Sequence, residues 1–362
     1  MKIAFFHELT PLSGARKVID EYARILGKKH EVDLYYVDDT QDESVRKIFS
    51  KVYYFKQKSS RNRLYRDSLE LLNLYILHKR IAKLINDNKY DLVFVSPSRY
   101  TQAPFILRFI MDSVYFCQEP LRLVYDPILA IPSDLNLVKK TYEVLNRRIR
   151  KLIDAGNIRC AKLVLANSEF SRKTIYRAYS INAKVCYLGV DTQKFYPKAV
   201  KKIYDLLFIG DKTPIEGYDL LIQTLKTFKK PPSIKYISRN ERGEGITEEA
   251  LTNEINKAKI VLSLSKDEPF GLAPVEAMSC GVPVIAVSEG GLRESVTDGV
   301  TGYLIDRNVA ELKRKIELLL GDEGLRKKLG KNARVNVLTK FSWEESVERF
   351  KKIIKEAGYK IT

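Results

Sequence analysis

The stretch that most constrains this chain runs through residues 263–305, SLSKDEPFGLAPVEAMSCGVPVIAVSEGGLRESVTDGVTGYLI. Residues 260–264 are β-branched or Leu for the most part, the composition of a buried strand. A turn at 266–271 holds Pro269 and Gly271. Residues 272–280 then read as a helix, with Pro274 in the first turn, where a missing N–H costs nothing. Gly281 stops it in the manner of a C′ glycine, and 283–288 is the next buried strand. A strand–turn–helix–strand unit of this kind is half of a doubly wound α/β domain.

Two carboxylates fall inside the unit: Glu268 in the turn and Glu276 eight residues later on the helix. Phe270, Gly271 and Leu272 carry the first free N–H groups of that helix, and together with the macrodipole these make an anion site. Gly271 allows close approach to the backbone. A carboxylate one turn further in accepts hydrogen bonds from hydroxyls and repels phosphate. The pairing therefore suits a ligand with phosphate in the middle and polyhydroxylated ends, which describes a nucleotide sugar.

Glu268-Pro269-Phe270-Gly271-Leu272 followed by Glu276-Ala277-Met278 resembles the E-x7-E signature of the glycogen-synthase-like, group 1 family of retaining glycosyltransferases. Pro283-Val284, Gly290-Gly291 and Asp298-Gly299-x-x-Gly302 fit the same pattern. The resemblance implies the GT-B architecture: two Rossmann-like doubly wound lobes facing across a cleft, with a C-terminal helix crossing back to the first lobe. It assigns Glu276 to the donor ribose and Glu268 to the transferred sugar.

At 362 residues the chain suits two domains, and 45% apolar residues are enough for real cores and exclude a disordered protein. No apolar run reaches the length of a membrane span, and the first residues lead straight into a strand-like KIAFFH, so a cytoplasmic protein without signal peptide is expected. The four cysteines are far apart and lack any C-x-x-C pairing, which reads as reduced thiols.

The formal net charge of +18 is uneven. Residues 1–190 hold 33 Lys+Arg against 20 Asp+Glu, a balance of +13; the remainder holds 30 against 25, a balance of +5. Between 46 and 66 there are eight basic residues and no acid, with Phe49, Tyr53, Tyr54, Phe55 and Tyr65 interleaved. Two readings stay open for this patch: a solvated Lys-rich face, or a surface for something anionic. Of the anionic partners, lipid headgroups on the cytoplasmic membrane face are favoured and nucleic acid is not expected, because the site above handles sugars.

Along 1–190, strand-like runs alternate with helical spacing, as in a parallel-sheet lobe. Gly14 ends the loop after the first strand, on the acceptor side by resemblance; the family's acidic residue nearby is Arg16 here. CQEPLR, residues 117–122, resembles a His-x-Pro-x-Arg pattern of related transferases, with Gln118 where His is common. Gln cannot titrate, so Gln118 is assigned to orient the donor sugar and stands with Glu268 as a catalytic candidate. Arg122 either holds an acceptor phosphate or forms a structural ion pair. Ser168 reads as a helix cap.

The domain expectation is 1–190 for the basic, acceptor-side lobe, 191–340 for the donor-side lobe, and 341–362 for the returning helix. Ser342 and Glu345 make a capping box there, and Trp343 reads as the anchor between lobes. In the second lobe the family pattern places Arg and Lys on the donor diphosphate. This chain has Asp211 and Glu216 in their places, within Gly210-Asp211-Lys212-Thr213-Pro214-Ile215-Glu216-Gly217. Gly210, Lys212 and Arg239 remain for the donor. No D-x-D motif holds a divalent cation, so neither metal nor cofactor is expected.

These readings converge on a retaining, metal-independent hexosyltransferase using a UDP- or GDP-sugar and a glycan or lipid-linked acceptor. The rivals are another GT-B enzyme, such as a phosphorylase or nucleotide-sugar epimerase, and a non-catalytic basic binding protein on a decayed scaffold.

Overall fold

The computed structural model describes residues 1–8, 14–38, 42–57, 62, 65–98, 100–126, 129–238 and 246–361, without the side chain of Arg66. Arg239, Ser13 and part of the 46–66 patch lie outside the described residues. The chain divides into two units.

The first unit holds residues 1–167, 171–186 and the chain from Arg349 onward. Its strands are β1 (Lys2–Glu8), β2 (Glu31–Asp38), β3 (Lys51–Lys56), β4 (Leu92–Ser98), β5 (Ser113–Phe116), β6 (Leu163–Ala166) and β7 (Lys184–Val185). They pair in parallel in the order β3-β2-β1-β4-β5-β6-β7. Sequential strands run outward from β1 and then resume on its other side at β4. The β1/β4 boundary is therefore the switch point where a doubly wound sheet opens a crevice at its carboxyl ends. β1, β4 and β5 are buried along nearly their whole length, as strands covered on both faces must be. The helices are α1 (Gly14–Leu26), α2 (Leu71–Asp87, entered through a π turn at Arg66–Glu70), α3 (Leu137–Ile158) and α4 (Glu169–Tyr179). α1 packs Val18, Ile19, Tyr22 and Leu26 inward, the 3.6-residue spacing read from sequence.

The second unit holds residues 168–170 and 187–348. Its strands are β8 (Tyr204–Ile209), β9 (Ile234–Ile237), β10 (Ala258–Ser263), β11 (Val284–Val287) and β12 (Gly302–Ile305). The order is β12-β11-β10-β8-β9, all parallel, with the switch point between β8 and β10. Its helices include α5 (Tyr218–Leu225), α6 (Glu248–Lys257), α7 (Leu272–Ser279), α8 (Val309–Gly321) and α9 (Glu323–Lys340). α6 is absent from the sequence reading, although Thr247 caps it by accepting the Ala250 N–H.

The last helix, α10 (Trp343–Glu356), starts in the second unit and ends in the first. Ser342 caps it through the Glu345 N–H at 3.1 Å. The helix expected over 341–362 begins at Trp343; the first unit resumes within it at Arg349, and the second unit opens at Tyr187. The reason is local to the second unit. The Val190 N–H donates to the Phe341 carbonyl at 2.8 Å, and Val190 and Ser342 form a parallel bridge. Trp343 is buried there, with its backbone against Gly189, where a Cβ would fall 2.5 Å from Trp343 Cα.

Candidate functional site

The loops after β8, β10 and β11 converge at the carboxyl end of the second sheet, around the β8/β10 switch point. Backbone packs directly on backbone there. A Cβ on Gly217, whose φ is +76°, would sit 2.2 Å from the Leu264 carbonyl oxygen. The Lys266 N–H donates to the Ile215 carbonyl at 2.8 Å. The Gly290-Gly291 turn lies on the Glu268-Pro269 turn, and the Gly291 N–H donates to the Glu268 carbonyl at 2.8 Å. This explains the glycine pair: a Cβ on Gly291 would meet the Pro269 carbonyl at 2.3 Å. Glu268 is thus held by its backbone with its side chain half-buried.

Gly271 adopts φ +85° and leads into α7. Among the described residues, the N–H groups of Gly271 and Leu272 donate to no acceptor, as expected for the first turn of a helix. The Phe270 side chain is turned into the unit, 2% exposed, with its ring 5.7 Å from that of Phe341 and 6.3 Å from that of Tyr187. It anchors the turn through these ring contacts. Glu276 is fully buried on α7, at 0% exposure. A ligand that reaches its carboxylate has to uncover it first. Burial, and then the Glu276 charge, push the Cys280 thiol up to about 12, so Cys280 is an inert thiol at neutral pH.

The β8 loop carries the charges. Gly210 ends the strand, and a Cβ there would fall 3.1 Å from the Glu216 carboxylate. Glu216 is buried and accepts a hydrogen bond from the Ser265 hydroxyl at 2.7 Å. Lys212 is exposed, with its ammonium 5.4 Å above the Tyr236 ring. Two further groups at this end went unread in the sequence. Arg307 donates to the Leu264 carbonyl at 2.9 Å and to Glu289 through two nitrogens, at 2.9 and 2.6 Å. Glu294 accepts the N–H groups of Glu169 and Phe170, at 2.7 and 2.9 Å, and the Tyr187 hydroxyl at 2.9 Å. Those N–H groups open α4, where Ser168 was expected as the cap. The Ser168 hydroxyl donates to the Pro269 carbonyl at 2.5 Å. Glu294 belongs to the same Gly-Gly-x-x-Glu run as the glycine turn, the one signal that could have pointed to it.

The remaining candidates lie in the first unit. Gly14 opens α1, and among the described residues a Cβ there would meet nothing within 4 Å. Arg16 is buried and pairs with Asp20 at 2.7 Å and Asp42 at 3.4 Å. Gln118 follows β5 and accepts the Ser171 hydroxyl on its backbone carbonyl at 2.9 Å. Arg122 donates through two nitrogens to Asp126, at 3.1 and 2.9 Å, and remains over a third exposed. At the β1/β4 switch point lies a buried polar cluster: His7 Nδ1 is 2.9 Å from the Ser96 hydroxyl, and His78 Nε2 is 3.2 Å from Glu8. Among the described residues, no group of three or more His, Cys, Asp or Glu is placed to hold a metal ion.

Residues 244–336, which include α7, match the family described as Glycosyl transferases group 1. An uncharacterized glycosyltransferase of Methanocaldococcus jannaschii is 30% identical over 212 residues, covering 53% of this chain and 59% of that one. The chain spans about half the length of the curated relatives it matches. Among solved structures, sucrose-phosphate synthase from Thermosynechococcus elongatus superposes with a TM-score of 0.74 at 16% identity, over 98% of both chains. Anabaena HepE, solved in complex with UDP and glucose, gives 0.68 at 18% identity over 98% and 99%. At such identities the likeness is one of fold, and the fold is GT-B. The family match itself is confined to residues 244–336, in the second unit.

Proposed function

We propose that this chain transfers a hexose from a nucleotide diphosphate sugar to a glycan or lipid-linked acceptor, with retained anomeric configuration and without a metal. The observation that carries the reading is the free amide pair of Gly271 and Leu272 at the mouth of α7, with an acid, Glu276, within the same helix. Amides at a helix N-terminus suit a pyrophosphate, and they stabilise charge on the departing nucleotide without reorganising. Lys212 adds an exposed cation on the β8 loop. Glu276 takes the ribose hydroxyls and Glu268 the transferred sugar, while Gln118 orients the sugar and Gly14 and Arg122 serve the acceptor. That HepE was crystallised with UDP and glucose on the same fold supports a nucleotide-sugar donor.

The test is calorimetry with a panel of UDP- and GDP-sugars. One donor should bind the wild type, and Glu276→Ala should weaken it at least about hundredfold, the worth of charge-assisted bonds to two hydroxyls. Wild-type affinity in a folded Glu276→Ala variant would refute the assignment. A second reading, a binding protein on a decayed transferase scaffold, rests on buried Glu216 beside Gly210, an acid where a diphosphate would lie. No binding of any nucleotide sugar by the wild type would favour it.

A further inference from the structure

α3 (Leu137–Ile158) is built inside out. Its buried side chains include Glu143, Asn146, Asp154 and Asn157, while Val138, Leu145 and Leu152 are 79%, 57% and 75% exposed. Those three are spaced by seven, so they form one stripe. A surface helix ordinarily turns such a stripe to the core and its polar side to water.

The inversion is fully supported from within. Asp154 accepts the Ala103 N–H at 2.7 Å and the Tyr179 hydroxyl at 2.5 Å. Asn157 donates to the Ala103 carbonyl at 2.8 Å and accepts from Arg108. Asn146 and Tyr142 donate to Asp67, on the π turn that opens α2, at 2.9 and 2.7 Å. Asp67 therefore joins two neighbouring helices, and the second also shows an apolar row outward. Leu69, Leu72 and Ile76 are 55%, 55% and 57% exposed, at helical i, i+3, i+7 spacing.

The exposed charge on α3 has one sign. α3 carries six Lys and Arg against two acids, Glu143 and Asp154, and both acids are buried. Lys140 and Arg148 are exposed and, among the described residues, outside any ion pair. The same holds for Lys79 and Lys83 on α2. Long cationic side chains beside an aliphatic stripe can rest their stems on apolar surface and hold their charges at a headgroup layer. Among the described residues no helix is long and apolar enough to cross a membrane.

We infer that the outer faces of α2 and α3 dock this protein flat on an anionic lipid bilayer. Leu145 and Leu152 enter the acyl boundary, and Arg148 and Lys83 meet the headgroups. The inference moves the membrane contact away from residues 46–66. There Arg46 pairs with Glu43, Lys51 pairs with Glu31, and Tyr53 stacks on Tyr35 at 4.6 Å. It does not depend on the donor chemistry.

Vesicle flotation of the full chain tests it, with phosphatidylcholine alone and with added phosphatidylglycerol. The protein should float with the anionic vesicles and not with phosphatidylcholine alone, and salt should release it. Leu145→Glu with Leu152→Glu should abolish flotation with an unchanged thermal melt, since both side chains are exposed. Lys83→Glu with Arg148→Glu should weaken binding about thirtyfold or more. Nucleotide-sugar calorimetry should be the same for all variants, which separates failure here from failure of the functional reading. Equal binding to both vesicle types, no binding to either, or flotation untouched by the Leu variants would overturn the proposal. So would a wild-type dimer in light scattering that the Leu variants dissolve, with no vesicle binding, because a second copy would then cover the face.

Discussion

The two units solve the same topological problem with different materials. Each has a parallel sheet with a switch point, and each gathers its candidate residues at the carboxyl ends of the strands. In the second unit that place is made of backbone: Gly217 on Leu264, Gly291 on Pro269, and open amides at α7. In the first unit it is filled with side chains: His7 on Ser96, His78 on Glu8, and Arg16 between Asp20 and Asp42. A backbone-built site leaves its amides to a ligand and tolerates no added methyl. A side-chain-built site spends its polar groups on one another and gives more freely.

The largest expected effect breaks the comparison most directly. Gly217→Ala puts a Cβ into a carbonyl at a positive φ and should cost about 3 kcal/mol or more. Gly14→Ala, at the equivalent loop of the first unit, meets nothing among the described residues and should change stability by no more than about 0.5 kcal/mol. Urea unfolding of both variants checks this, and equal losses would erase the distinction between the units.

A second prediction concerns what the side-chain-built unit pays in pH dependence. Burial raises the Asp154 carboxyl from 3.8 to about 6, against the lowering effect of its bonds from Ala103 and Tyr179. Its folded pKa lies above its unfolded value, so the folded state holds the proton more tightly. This contribution is complete below about pH 4 and is lost as pH rises through about 6, by about 3 kcal/mol in all. Unfolding midpoints at pH 4 and pH 7 should show that loss in the wild type relative to Asp154→Asn, which cannot titrate. A constant gap between the two would remove Asp154 from the account.

The smallest effect sharpens the donor site. Glu216 is a buried acid beside Gly210. Glu216→Gln should tighten nucleotide-sugar binding about tenfold in calorimetry, by taking a like charge from the neighbourhood of a diphosphate. Weaker binding would mean that Glu216 and its Ser265 partner hold the loop in its binding shape, with the charge secondary.

The legibility of each region follows from the same contrast. Glu268, Phe270, Gly271, Leu272 and Glu276 lie within nine residues, and the strand, turn and helix they imply are where the structure has them. Gly271 and Gly291 were readable because φ and close backbone approach leave only glycine. The Glu294 cap escaped because it joins residues 125 positions apart, and Ser168 looked sufficient from its neighbours alone. The outward apolar stripe of α3 escaped for a related reason. The apolar spacing of α3 is plain in the sequence, but spacing says only that a helix has two sides.

By itself the sequence determined the class of fold, the helix α7 and its signature, because caps, turns and strand composition are set by energies between near neighbours. It did not determine which side of α3 meets water, whether Glu276 is open or covered, or what closes the first switch point. Those depend on partners such as Asp67 for Asn146 and Ser96 for His7, which are 79 and 89 residues away along the chain. Only the folded units bring such groups close enough for hydrogen bonds to outweigh the hydrophobic preference of a single helix.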